Sequence, residues 1–191
     1  MRAFIALTLP DAAREALARH QAALRAAGGD AVRWTPVEQL HLTIRFLGDT
    51  DRGLIDPLLD VLRHAAADTA PMAADTLASV GAFPHLGAPQ VLWIGIGEGA
   101  QAITQLAQRI DEGVVALGAP PEHRAFHPHI TLGRVKAPAQ ARRIGQALEA
   151  SPQHLERVPF RCDRLVLMES ALTPQGPVHT PLGETRLVGK T

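Results

Sequence analysis

The chain has 191 residues, 46% apolar and 20% charged, with 19 basic side chains matched by 19 acidic ones. That composition fits a globular chain rather than a disordered one, and a chain of this length buries about two-thirds of the surface it would expose unfolded. Zero formal charge argues against a broad basic face gripping long nucleic acid, while a local basic cleft for a terminus or a few nucleotides stays open.

Residues 4–9 read as a strand stopped by Pro10, and residues 12–27, rich in Ala, Leu, Arg and Glu, read as a helix ended by Gly28-Gly29. Trp34-Thr35-Pro36 marks a turn ahead of an alternating run at 41–46 that Gly48-Asp49 closes. A second helix is expected over 54–67. Strands come next at 72–80 and 91–96, joined by a loop over 81–89. Residues 101–117 form a third predicted helix, ended by Gly118. A strand over 125–135 is entered through Pro128, and a fourth helix covers 139–150. The last clear strand is 165–169, with a Pro/Gly-rich tail after it in which 178–182 and 185–188 are expected to pair.

Strands and helices alternate without the regular crossover spacing of a parallel sheet, so the fold class is α+β. Cys162 is the only cysteine, which rules out an internal disulfide and suits a reducing cytosol. The N-terminus lacks a long apolar core and a cleavage site, and no stretch approaches the roughly 20 apolar residues of a membrane span. A cytoplasmic, closed monomer is the expectation.

Two short stretches carry chemistry: His41-Leu42-Thr43-Ile44-Arg45-Phe46 and His129-Ile130-Thr131-Leu132-Gly133-Arg134. On a regular strand alternate residues share a face. His41, Thr43 and Arg45 then point one way and Leu42, Ile44 and Phe46 the other, and His129 and Thr131 share a face while Ile130 and Leu132 pack inward. A single histidine on a strand is ordinary, and so is an alternating threonine. Two copies of His-apolar-Thr-apolar, each with a helix before and after it, are not, and they point to a coarse internal duplication.

Two histidines facing one cleft suit phosphodiester chemistry. Imidazole titrates near neutrality, so a neutral ring can take a proton from water while a protonated one supplies a proton to the departing oxygen. Threonine hydroxyls can hydrogen-bond the non-bridging phosphate oxygens. This chemistry needs no metal and no cofactor.

The chain resembles the two-histidine phosphoesterases, and among them the RNA 2′,3′-cyclic phosphodiesterases historically called 2′-5′ RNA ligases. The resemblance rests on both motifs and on Arg2-Ala3-Phe4-Ile5-Ala6, Arg33-Trp34, Gly81-Ala82-Phe83-Pro84, Val91-Leu92-Trp93, Phe126-His127-Pro128 and Leu165-Val166-Leu167-Met168-Glu169-Ser170, in that family's order along nearly the whole chain. It implies one bilobal α+β domain over 1–191, with two antiparallel sheets and flanking helices around a central cleft. It also implies hydrolysis of a 2′,3′-cyclic phosphate to a 2′-phosphomonoester. His41 would be the proton donor to the 3′-oxygen and His129 the proton acceptor that activates water. Thr43 and Thr131 would hold the phosphate, and the reverse reaction would join RNA ends 2′-5′. The implied substrates are short or single-stranded RNA ends, tRNA halves among them.

Phe46 and Arg134 each come five residues after their motif histidine, and the resemblance has them flank the nucleotide, by stacking and by a cation contact. Strict alternation puts both on the wrong face, unless the strands end or bulge near Gly48 and Gly133. Arg45 and Arg33 are further candidates for lining the cleft. A departure lies at the C-terminal end, where family members often carry a tyrosine. This chain has no tyrosine and places His179 there.

Other signals are discounted. His127-Pro128-His129 could start a zinc site, but no third ligand completes it. His20 and His64 are expected on helix surfaces, and His85, His123 and His154 in loops. Gly95-Ile96-Gly97-Glu98-Gly99 lacks phosphate-loop spacing and reads as a turn. Cys162 reads as a buried thiol. A phosphodiesterase acting on a small cyclic nucleotide-type phosphate, and a non-catalytic module that binds RNA ends, remain as alternatives.

Overall fold

The structure, a computed structural model, describes residues 1–136, 138–150, 155–174 and 176–190. His154 lies outside them. Within the described residues, nine strands and four helices succeed one another as β1 (Arg2–Thr8), α1 (Asp11–Gly28), β2 (Val32–Trp34), β3 (His41–Asp49), α2 (Ile55–Ala67), β4 (Met72–Phe83), β5 (Val91–Ile96), α3 (Ala100–Ala116), β6 (His129–Val135), α4 (Pro138–Ala150), β7 (Pro159–Cys162), β8 (Arg164–Thr173) and β9 (Gly176–Arg186).

All the described strand pairings are antiparallel, in the order β7-β4-β5-β6-β3-β1-β8-β9, with β2 attached to β6. The expected α+β class is therefore what the chain adopts. On each side of the centre the motif strand lies beside the strand that precedes its helix, β6 beside β5 with α3 between them in the chain and β3 beside β1 with α1 between them. The two halves meet where Leu42 pairs with Ile130. That symmetry is compatible with the expected duplication, although the two expected sheets run as one curled succession of strands.

The helices form because their apolar residues recur every three or four positions. In α3 these are Ile103, Leu106, Ala107, Ile110 and Val114, all buried. Gly118, at φ +94°, takes the left-handed conformation just past its end. α3 packs on β3, α4 on β6, α2 on β8 and β9, and α1 on α4. Leu42, Ile44, Ile130 and Leu132 supply the underside of the motif strands to this core, each buried to 4% exposure or less. Complete burial of such side chains contributes about 1.5–3 kcal/mol apiece.

Several expectations are corrected. Residues 81–83 continue β4 instead of opening a loop, and the strand expected from 125 begins only at His129. The tail does not fold on itself: β9 is one strand paired along β8. β7 had no forecast. His20 is buried at 8% exposure, because it continues the α1 stripe of Ala13, Leu17 and Leu24, whereas His64 is exposed as expected. Cys162 is fully buried, and desolvation pushes its thiol up to about 12. No helix among the described residues is long and apolar enough to cross a membrane.

Candidate active site

The pairing of Leu42 with Ile130 sets the two motifs side by side. In an antiparallel ladder directly opposed residues point to the same side. Leu42 and Ile130 go down into the core. His41, Thr43, His129 and Thr131 therefore all stand on the other face.

Both motif strands then depart from strict alternation at the same place. Against β1, Thr43 faces Ala6 and Arg45 faces Ile5, so Ile44 is an extra residue. Against β5, Thr131 faces Trp93 and Gly133 faces Leu92, so Leu132 is an extra residue. Each bulge falls three residues past its histidine and reverses the phase of the residues that follow it, in β3 as far as Phe46. Phe46, opposite Phe4, returns to the motif face, and so does Arg134, opposite Val91. The bulge expected near Gly133 is there, and near Gly48 Leu47 is extra against β1, but the shift that re-aims Phe46 is the one at Ile44. Phe46 stands 61% exposed, and Arg134 is exposed close enough to His129 to oppose its protonation.

The same bulge sends Arg45 the other way, which corrects the expectation that it shares a face with His41 and Thr43. Its side chain turns to the helix layer, where Nε pairs with Asp111 Oδ1 of α3 at 2.7 Å and the guanidinium donates to the Pro120 carbonyl at 2.6 Å and reaches Glu122 Oε2 at 3.5 Å. Arg45 thus braces β3 to α3 and to the segment after it.

The two imidazoles are held alike. Nδ1 of His41 lies 2.7 Å from the Gln39 carbonyl and Nδ1 of His129 lies 2.6 Å from the His127 carbonyl. A carbonyl only accepts, so each Nδ1 carries the proton and each Nε2 is the nitrogen left for chemistry. Nε2 of His41 is 3.0 Å from Thr43 Oγ1, which donates to it while the ring is neutral. His127 thus contributes through its backbone.

Aromatic rings wall both histidines. Phe4 stacks on His41 at 4.9 Å between centroids, and His179 meets His41 edge-on at 5.3 Å and Phe4 at 4.8 Å. On the other side Phe83 lies 5.1 Å and Trp93 5.8 Å from His129. These walls lower both imidazoles. Burial, together with the charges of His179 and His129, brings His41 down to about 4 in spite of its hydrogen bond to Gln39. His129 is lowered by burial first and then by His127 and Arg134. His179 is also lowered, by burial. At neutral pH both motif rings are neutral.

The roles of Phe4, Phe83 and Trp93 were not legible in composition. They come from strand register, which places each on the motif face, Phe4 and Trp93 on the strand next to their histidine and Phe83 one strand further out. Among the described residues no group of three or more His, Cys, Asp or Glu side chains is placed to hold a metal ion.

Comparison with known proteins agrees with this geometry. Residues 7–173 match the family model of the 2′-5′ RNA ligase superfamily. A protein of Methanothermobacter thermautotrophicus named RNA 2′,3′-cyclic phosphodiesterase is 30% identical over 187 residues, covering 98% of this chain and 99% of its own. A protein of the same name from Thermus thermophilus is 35% identical, covering 100% of this chain and 92% of its own. Among solved structures, TT0787 of Thermus thermophilus superposes with a TM-score of 0.81 at 30% identity over the whole of both chains. E. coli LigT complexed with 3′-AMP does so at 0.72 and 25% identity, over 97% of each. With its two His-x-Thr strands paired at the centre of the sheet and the family model matched over most of its length, the chain belongs to the 2′-5′ RNA ligase superfamily.

Proposed function

We propose that the chain hydrolyses RNA 2′,3′-cyclic phosphate ends to 2′-phosphomonoesters by acid–base catalysis between His41 and His129. The observation that carries this reading is the Leu42–Ile130 pairing, which puts two Nδ1–H imidazoles and two threonine hydroxyls on one face with each Nε2 free of the backbone. The activity named for the relatives is the one this arrangement suits.

In the proposed reaction water attacks phosphorus on the side away from the 3′-oxygen and loses a proton to Nε2 of His129. The bond from phosphorus to the 3′-oxygen breaks, and that oxygen takes a proton from Nε2 of His41. A 3′-hydroxyl and a 2′-phosphate result. Thr43 and Thr131 hydrogen-bond the non-bridging oxygens as their charge shifts. Phe46 stacks on the terminal base and Arg134 supplies a cation to the same nucleotide. With a 5′-hydroxyl of RNA in place of water as the nucleophile, the same steps join ends 2′-5′.

Donor and acceptor are assigned from the family resemblance, and the burial and electrostatics around His41 work against its protonation. The proton must therefore be drawn onto His41 by the negative charge of the bound phosphodiester. Leaving-group chemistry tests the assignment. A diester with an aryl leaving group needs no proton on departure, so His41→Ala should retain much of its turnover of that substrate while His129→Ala loses it. The opposite pattern would exchange the roles. Wild type that binds a cyclic-ended oligonucleotide without turning it over would make the chain a binding module, and turnover of mononucleotides only would make it an enzyme of small cyclic phosphates.

A further inference from the structure

Arg33 and Arg134 sit directly opposite one another across β2 and β6. Opposed residues share a face, so the bulge that returns Arg134 to the motif face puts Arg33 there as well. Both are exposed. Like charges directly opposed on a sheet repel, and such pairs are ordinarily relieved by an acidic neighbour. Here no ion pair among the described residues involves either guanidinium, although Arg45, Arg52, Arg157 and Arg164 each have a carboxylate.

The position of the pair gives it a use. Along β6 the motif face runs His129, Thr131, Arg134, and Arg33 lies alongside Arg134. Gly176, the first residue of β9, comes in from the other half: a Cβ placed on it would lie 3.6 Å from Cδ of Arg33. Two guanidinium groups without a carboxylate therefore close one end of the floor that holds the motifs. Guanidinium is the side chain best matched to a phosphate, which it can grip through two parallel hydrogen bonds. Thr131 and Arg134 are separated by up to about 10 Å of strand, at ~3.3 Å per residue less what the bulge takes up. One nucleotide step covers that distance.

We propose that Arg33 and Arg134 form a second phosphate subsite, which takes the phosphate on the 5′ side of the terminal nucleoside, as an internucleotide diester or as a 5′-monoester. This rests on the catalytic reading above and adds the substrate class: the site favours an end that carries this further phosphate over a bare nucleoside cyclic phosphate. It also explains how a chain of zero net charge engages RNA, through one localised pair of cations.

The test compares kcat/KM for a nucleoside 2′,3′-cyclic phosphate, the same compound with a 5′-phosphate, and a dinucleotide ending in a 2′,3′-cyclic phosphate, in wild type and Arg33→Gln. Wild type should prefer at least one of the phosphate-bearing substrates by about tenfold or more, the order expected of a charge-assisted contact. Arg33→Gln should bring that ratio close to one and flatten its decline with salt. Because both substrates are assayed on one preparation, the ratio is independent of how much protein is folded. A preference for the 5′-phosphorylated mononucleotide equal to that for the dinucleotide supports the subsite and names a terminal phosphate as sufficient. A gain confined to the dinucleotide supports it with the internucleotide diester as the ligand. No preference in wild type, or a preference that survives Arg33→Gln, overturns the subsite while leaving hydrolysis intact. Failure of wild type on all three substrates would instead overturn the catalytic reading.

Discussion

Leu42 faces Ile130 at the pair that joins β3 to β6, and both side chains are fully buried beneath the histidines they separate from the core. The alignment of the two motifs therefore depends on apolar packing as much as on the ladder. Ile130→Ala should destabilise the protein by about 2–5 kcal/mol, read as a lowered urea midpoint at unchanged slope. In conditions where the variant is still folded, kcat should fall more than KM rises, because the histidines shift relative to each other. An unchanged kcat would show that this pair does not align them.

Titration of the histidines predicts two pH effects. The proposed catalysis needs one ring protonated and one neutral, and both free-enzyme values lie below 6.5, with His41 at about 4. The kcat/KM profile should therefore be bell-shaped with its maximum below pH 6.5, whichever ring is the donor. A maximum at pH 7 or above would contradict the burial of these rings. Stability has the same sign. The unfolded chain binds protons at His41 near 6.5 while the folded chain does so only near 4, so unfolding takes up protons in that window and stability falls as pH drops through it. His41→Gln removes one such group, and its unfolding free energy should decline less steeply between pH 6.5 and 4.

Trp93 lies flat on Gly81, its pairing partner in β4: a Cβ at position 81 would come within 2.3 Å of the indole. The same ring is part of the wall around His129. Gly81→Ala must push the indole off its seat, and the expected result is a fall in kcat at nearly constant KM with His41 undisturbed. A variant with wild-type kcat would show that the indole wall does not position His129.

Phe46 can be judged by its exposure. A core phenylalanine cut to alanine costs about 3–5 kcal/mol, but a ring 61% exposed on the motif face contributes far less. Phe46→Ala should leave the melting temperature within a few degrees of wild type and raise KM for RNA ends several-fold. A large loss of stability with unchanged KM would make it a packing residue.

Much of this was legible in the sequence. The helices declared themselves by periodicity and by terminal glycines, and the repeated His-x-Thr pattern marked the candidate site before any fold was known. Three features were not. Bulges at Ile44 and Leu132 arise from strand pairing and leave almost no local signature, so alternation aimed Arg45 into the cleft when it turns to Asp111. In β9, Pro177, Pro181 and Gly183 read as turn residues, yet β9 is an edge strand, where proline does no harm to the ladder. His20 shares a helical stripe with Ala13, Leu17 and Leu24, a spacing that was visible and outweighed by the polarity of the residue.

The most direct test of the two-histidine account is the position of the phosphate in the product. A short RNA ending in a 2′,3′-cyclic phosphate is incubated with wild type, His41→Ala and His129→Ala, in the presence of EDTA. The account predicts a 2′-phosphate from wild type, undiminished by the chelator, and its loss in both variants. A 3′-phosphate product, activity that returns only with added metal, or full turnover by either variant would contradict it.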